Sequence, residues 1–318
     1  LPIWRKMYWA TKIREVAMSN YHVPVMLKPC LDGLEINPDG TYVDVTYGGG
    51  GHSKGILERL SAKGKLLVFD QDSDAVENRI DDDRLHFCKA NFRYLQNFCS
   101  YYGVQKIDGL LADLGVSSHH LDAKGRGFSF RFGEAGLDMR MNTDAEVSAI
   151  NVLNTYGQPK LAKVFRSYGE LDKASPMANA VVNYRTVKPI ETTEDLEMAL
   201  ERFLNPKTRN KTLAKVYQAV RIEVNAEMST LEQMLDQATE LLHPGGRLVV
   251  MSYHSLEDRL VKNLIQTGNV GGDKNADPFG NLPKVYKAVS RKPIMATDEE
   301  IAANPRARSA KLRIAERI

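Results

Sequence analysis

The sequence is poor in the features that would commit it to a membrane, a secretory route or a metal. Of its 318 residues only three are cysteine, Cys30, Cys88 and Cys99, with no CxxC spacing and an odd count. That argues against a disulfide framework and for a reducing, cytoplasmic setting. The seven histidines show no metal-ligand spacing, and the adjacent His119 and His120 point in different directions, so no metal is expected. No apolar run approaches the roughly 18–20 residues that a membrane span needs. Residues 1–17 are basic and aromatic, with Trp4, Tyr8 and Trp9, but lack the apolar stretch and cleavage site of a secretory signal. Met18 stands directly ahead of what reads as the domain proper, so residues 1–20 are expected to be an N-terminal extension.

What is present is an ordinary globular composition, 43% hydrophobic and 26% charged, with a net charge of +3. The distribution of charge is more informative than its total. Residues 284–318 hold nine Lys/Arg against four Asp/Glu, and residues 1–20 hold four against one, so the body between them is acidic. Basic ends on an acidic body fit a polyanionic partner approaching one side, although solvated charged faces would look the same.

Short apolar runs alternate with amphipathic stretches through the first third. Strands are expected at 42–46, 65–69, 85–88 and 107–112, with helices at 53–60, 74–80 and 95–102 between them. This rhythm means βαβ units and a parallel sheet covered on both faces. Residues 121–209 contain no convincing strand and several helical pieces, the clearest at 195–204, capped by Thr192 or Thr193 and stopped by Asn205 and Pro206. A helical stretch over 215–242 then breaks at Pro244, Gly245 and Gly246 ahead of a strand at 247–252. A helix over 255–266 follows, with Ser255 and Asp258 placed as a capping box, and closing strands are expected at 285–289 and 310–315. The reading is an α/β fold of the doubly wound, Rossmann-like type. Its main domain comprises residues 21–120 and 210–318, with an inserted α-helical domain at 121–209 that would recognise substrate.

The strongest local signal is Asp44-Val45-Thr46-Tyr47-Gly48-Gly49-Gly50-Gly51-His52, where the first strand passes into the first helix. A tight turn alone would need one or two glycines; four suit a backbone that approaches a ligand closely. A dinucleotide site is the rival, but the G-x-G-x-x-G offsets fail, since Ser53 and Lys54 stand where the third glycine belongs. Asp44 also suits a cationic amino-acid ligand better than a pyrophosphate. Asp70, at the tip of the second strand, can bind both hydroxyls of a ribose, a feature that serves either cofactor. Asp113 ends the fourth strand, on the edge where open α/β sheets bind ligands; it could be a turn cap, but its place beside the glycine loop favours a functional role.

Five segments together resemble a known family. They are Gly48 to His52; Asp113-Leu114-Gly115-Val116-Ser117-Ser118; Arg126-Gly127-Phe128-Ser129-Phe130 with Leu137-Asp138-Met139-Arg140-Met141; Ser252-Tyr253-His254-Ser255-Leu256-Glu257-Asp258-Arg259; and Asn304-Pro305-Arg306-Ala307-Arg308-Ser309-Ala310-Lys311-Leu312-Arg313. In this order and spacing the chain resembles the MraW (RsmH) family of bacterial 16S rRNA (cytosine-N4)-methyltransferases over residues 20–318. The resemblance implies a class I methyltransferase sheet with a helical insertion, S-adenosylmethionine as cofactor, and 16S rRNA of the small ribosomal subunit as partner. By motif position it implies cofactor contacts at Gly50, Gly51, His52, Asp70, Phe92, Asp113 and His120. His119-His120 stands where the family often has Pro-Gln, a departure at the last of these. Asp113 is the expected catalytic residue: it, or the backbone carbonyl beside it, would accept from the cytosine amino group. Phe128 and Phe130 could stack on a base or form core; Arg306, Arg308, Lys311 and Arg313 would hold phosphates; His254 could line the pocket or cap its helix. A DNA amino-methyltransferase is chemically close, but its (Ser/Asp/Asn)-Pro-Pro-aromatic motif is absent. A non-enzymatic RNA-binding or ribosome-assembly factor on the same fold is the remaining alternative.

Overall fold

The structure, a computed structural model, describes residues 24–116, 125–130, 135–274, 276–277 and 283–318. The N-terminal extension expected at 1–20 lies outside the described residues. Helix α1 (Leu27–Leu34) precedes strand β1 (Thr41–Asp44), α2 (Gly51–Leu57), β2 (Lys65–Asp70), α3 (Ser73–Glu77), β3 (Leu85–Lys89), α4 (Leu95–Tyr101) and β4 (Ile107–Asp113). Among the described residues, five helices follow: α5 (Ala149–Thr155), α6 (Gln158–Gly169), α7 (Ala174–Arg185), α8 (Thr193–Leu200) and α9 (Arg209–Asn225). The chain then returns through α10 (Glu227–Leu241), β5 (Leu242–Ser252) and α11 (Ser255–Thr267), and closes with β6 (Tyr286–Ala288), β7 (Ile294–Met295), α12 (Asp298–Ala303) and β8 (Lys311–Arg317).

Among the described residues these strands form one eight-stranded sheet in the order β3-β2-β1-β4-β5-β8-β6, with β7 also paired to β8. Strands β1 to β5 are parallel, and β8 runs antiparallel to β5, β6 and β7. Alternate residues face opposite sides of a strand. Leu66 and Val68 of β2 therefore join the core under α1 and α2, while Leu67 and Phe69 join the core under α4, α10 and α11. Burial on both faces explains why the parallel strands read as continuous apolar runs rather than alternations. A third core is built mainly from helices and takes in Leu153, Phe165, Val181 and Leu196. It also includes Leu213, Val216 and Val220 of α9, beyond the 121–209 bounds drawn from the sequence. No helix among the described residues is long and apolar enough to cross a membrane.

Three expectations change. The helical stretch at 215–242 is two helices, broken at Ala226, which takes a left-handed φ of 51°. The break is where the chain leaves the helical core and enters the sheet core, since α9 packs its apolar face into one and α10 into the other. Pro244, Gly245 and Gly246 do not precede β5 but lie within it; the register between β4 and β5 shifts there, between Ile107 and Gly109, as a bulge accommodates them. The capping box of α11 is one residue earlier than read, with His254 at the cap and Glu257 as its partner. Thr192 does cap α8, together with Asp195.

A left-handed conformation costs an alanine about 1 kcal/mol that a glycine does not incur, partly offset by glycine's greater chain entropy. Ala226→Gly is therefore expected to raise the free energy of unfolding by about 0.5 kcal/mol, measured by urea denaturation.

Candidate active site

The carboxyl ends of β3, β2, β1 and β4 lie side by side and carry, in that order, Phe92, Asp70, the glycine loop and Asp113. At the end of β1, Asp44 is fully buried. One carboxylate oxygen accepts the Ser53 hydroxyl at 2.7 Å, and the other accepts the Thr46 main-chain N–H at 3.0 Å and hydroxyl at 3.4 Å. Asp44 is thus sealed by internal donors and braces the loop against α2, rather than meeting a cationic ligand as its position suggested.

The glycine loop is held from both sides. Gly48, with φ +51°, donates its N–H to Asp70 Oδ2 at 2.8 Å, while Asp70 Oδ1 accepts from the main chain of Asp72 at 2.9 Å. Gly50 has φ +74°, and a side chain there would meet the Tyr47 hydroxyl at 2.7 Å; one on Gly51 would meet Pro24 at 2.7 Å. The glycines therefore answer to the protein's own packing as much as to any ligand. His52, in the first turn of α2, is buried and donates from Nε2 to the Val25 carbonyl at 3.1 Å. That bond fixes the tautomer and turns Nδ1 towards Asp113 Oδ2, 3.8 Å away.

Asp113 is held by residues that follow the two flanking strands, β1 and β5. Its N–H donates to the Thr46 hydroxyl at 2.7 Å, and its Oδ1 accepts the Tyr253 hydroxyl at 2.9 Å. Burial pushes its pKa up to about 6, against the opposing pull of His52 and of the Tyr253 hydrogen bond, with Asp44 and Glu257 adding to the rise. The side chain nonetheless keeps 23% of its surface open, so the carboxylate is reachable. Phe92 opens a short 3-10 turn capped by Asn91 and lines a cleft with Thr46, Gln71 and Leu114. The far wall of that cleft belongs to Met141 and to Asn225 and Glu227, on either side of the helix break.

Of the expected site residues, Gly50, Gly51, His52, Asp70, Phe92 and Asp113 converge on this sheet edge; His120 lies outside the described residues. Phe128 is buried in the helical core, and Phe130 packs edge-on against Tyr217, so neither presents a free stacking face. Arg126 is turned inward to the carbonyls of Arg140 and Met141. Arg313 is committed to Asp258 by a half-buried ion pair that Lys311 joins at 3.8 Å, whereas Arg308 is exposed. His254 takes the helix-capping role, accepting from Glu257 N–H at 3.4 Å. With Glu257 and Glu227 it forms, among the described residues, a group of potential ligand atoms within 4.8 Å of one another. Arg221 holds Glu227 through two hydrogen bonds of 2.7 and 2.8 Å, and His254 Nε2 lies 3.2 Å from a Glu257 oxygen.

Two residues were missed from sequence. Thr46 links Asp44 to Asp113, and Tyr253 holds Asp113 directly. The signal for Tyr253 was available, because strand β5 pairs beside β4 and any residue just past its end lies next to the tip of β4.

Removing the buried Asp44 carboxylate leaves the Ser53 and Thr46 donors unpaired in a closed site. Asp44→Ala is expected to lower the free energy of unfolding by about 3 kcal/mol, read by chemical denaturation.

The family model of the MraW methylase family matches residues 19–318. A protein of Phocaeicola vulgatus called "Ribosomal RNA small subunit methyltransferase H" is 54% identical over 301 residues, covering 95% of this chain and 99% of that protein. One of the same name from Flavobacterium johnsoniae is 52% identical over 298 residues, covering 94% and 98%. A solved structure described as a putative rRNA-methylase from Clostridium thermocellum aligns over 94% of this chain and 100% of its own, with 13% identity and a TM-score of 0.43. On a match that spans nearly every residue, the chain belongs to the MraW methylase family.

Proposed function

We propose that this protein transfers a methyl group from S-adenosylmethionine to the exocyclic N4 of a cytosine in the decoding region of 16S rRNA, acting in the cytoplasm on the small ribosomal subunit. The observation that carries the reading is the row of strand tips, which sets the Phe92 ring, the Asp70 carboxylate, a glycine loop and the partly open Asp113 carboxylate along one edge. Relatives more than half identical over almost their whole length, and named for small-subunit rRNA methylation, support the substrate class.

The residues present fit this cofactor. Asp70 accepts one main-chain N–H on each oxygen, which fixes its orientation at the strand tip where a ribose diol would meet it. Phe92, beyond it, offers an apolar surface to the base, and Gly48, Gly50 and Gly51 keep the loop low enough for the amino-acid portion. The bound sulfonium supplies the methyl group; the protein supplies orientation and a dry site. Asp113 and His52 lie where the methyl end would be.

A cytosine amino group is a poor nucleophile because its lone pair is delocalised into the ring. The Asp113 carboxylate, accepting an amino hydrogen, would turn that lone pair out of conjugation and take up the proton released after transfer. The target base has to leave its stack to reach so recessed a group. Arg308, exposed beside β8, would meet rRNA phosphate.

Asp70→Ala is expected to weaken S-adenosylmethionine at least tenfold by calorimetry, on the scale of a lost charge-assisted hydrogen bond. Asp113→Asn should keep cofactor affinity but lose turnover on small subunits. Wild-type activity should fall below a midpoint near pH 6, since protonated Asp113 can no longer accept. Mass spectrometry of rRNA from a deletion strain tests the target: persistence of N4-methylcytidine would remove the assignment.

A further inference from the structure

Beyond the glycine loop and the strand-tip aspartates, one side chain reaches the proposed reacting centre from a different element. Tyr253 follows the end of β5, and the pairing of Asp113 with Met251 places it across from the β4 tip. Its position is set at the main chain first. Glu257, buried at the start of α11, accepts the Tyr253 N–H at 2.8 Å and the His254 N–H at 3.3 Å on one oxygen, and the other oxygen lies 3.2 Å from His254 Nε2. Burial works against ionising Glu257, but His254 and the Tyr253 N–H hold its pKa below the ordinary carboxylate range, so it remains a charged acceptor. The ring is set next. Gly115, at φ +98°, passes so close that a β-carbon there would stand 3.2 Å from the tyrosine ring. Backbone and ring are both constrained before the hydroxyl makes its 2.9 Å bond to Asp113 Oδ1.

Among the described residues that bond has no substitute at the carboxylate. His52 Nδ1 lies 3.8 Å from the other oxygen, outside hydrogen-bond range, and its partner nitrogen is committed to the Val25 carbonyl. The remaining titratable neighbours are Asp44 from β1, Glu257 from α11 and Cys30 from α1, and none of these donates to Asp113. Burial and the adjacent Asp113 push the phenol's own pKa well up, so it stays a donor across any working pH.

We propose that Tyr253 is a positioning residue for methyl transfer, its phenol holding the Asp113 carboxylate in the orientation that accepts the amino hydrogen of the target base. The proposal rests on the role given to Asp113 above. It assigns no chemistry to the phenol itself, which neither gains nor loses a proton. It does predict that the hydroxyl and the carboxylate act as one unit.

The test is Tyr253→Phe, which keeps the ring against Gly115 and removes only the donor. Single-turnover rates on purified small subunits with saturating S-adenosylmethionine are expected to fall about tenfold, the scale of a hydrogen bond to a charged group. Cofactor affinity by calorimetry and the thermal midpoint should stay at wild-type values. The acid limb of the rate should move to higher pH, because the lost bond had favoured the ionised carboxylate. In an Asp113→Asn background the same substitution should cost nothing further. A wild-type rate with an unmoved acid limb overturns the proposal, as does a loss that persists undiminished in the Asp113→Asn background. Full turnover by Asp113→Asn alone would instead remove the base assignment, and this proposal with it.

Discussion

Asp44 has no exposed surface, yet three polar hydrogens of the loop and the following helix converge on its carboxylate. Burying a charge is tolerable only when hydrogen bonds replace lost water, and here they come from both sides of the β1–α2 connection. The consequence extends past the loop. Thr46, oriented by Asp44, uses its hydroxyl oxygen to accept the Asp113 N–H, so the tips of β1 and β4 are locked together. Asp70 then ties the same loop to β2 through Gly48. A sheet edge that ordinary strand pairing would leave splayed is drawn into one rigid shelf.

The second structural problem is how a helical unit is fixed over that shelf. The transition is made within three residues. Asn225 ends α9 by accepting the Met141 N–H and donating to the Met139 carbonyl, while Arg221 and Glu227 pair across the left-handed Ala226. Farther out, Glu170 at the end of α6 accepts from Ser255 and Arg259 of α11. The inner contacts are half-buried and geometrically closed; the outer one is exposed and contributes less. The cleft therefore has one wall built from strand tips and another built from a helix break.

The sequence carried the parallel sheet openly, because four apolar runs each end at a polar or glycine-rich tip and helical spacing fills the gaps. Asp70, the glycine loop and Asp113 were legible for the same reason, since strand ends are where such folds place ligands. Ala226 was not legible. Nothing in an alanine announces a left-handed φ; it is forced by two cores that claim the helices on either side. Pro244, Gly245 and Gly246 read as a breaker but sit in β5 because a bulge absorbs them. Arg313 read as a phosphate ligand, yet Asp258, fifty-five positions away, claims it. Phe128 and Phe130 were balanced between two readings by sequence, and only the helical core could decide.

A structure that buries Asp44, Glu257 and much of Asp113 within one region gives up stability there, since each carboxylate needs its own set of donors. The three are not treated alike. Asp44 receives three donors and Glu257 two main-chain N–H groups, with His254 facing its other oxygen, and each places its neighbours. Asp113 receives one side-chain donor and faces a histidine beyond bonding distance, so it alone remains under-satisfied and partly open. Stored unsatisfied acceptor capacity is useful only where a partner arrives later. By that argument the arrangement separates carboxylates that build the shelf from the one left to meet a substrate, and the distinction follows from counting donors at each oxygen.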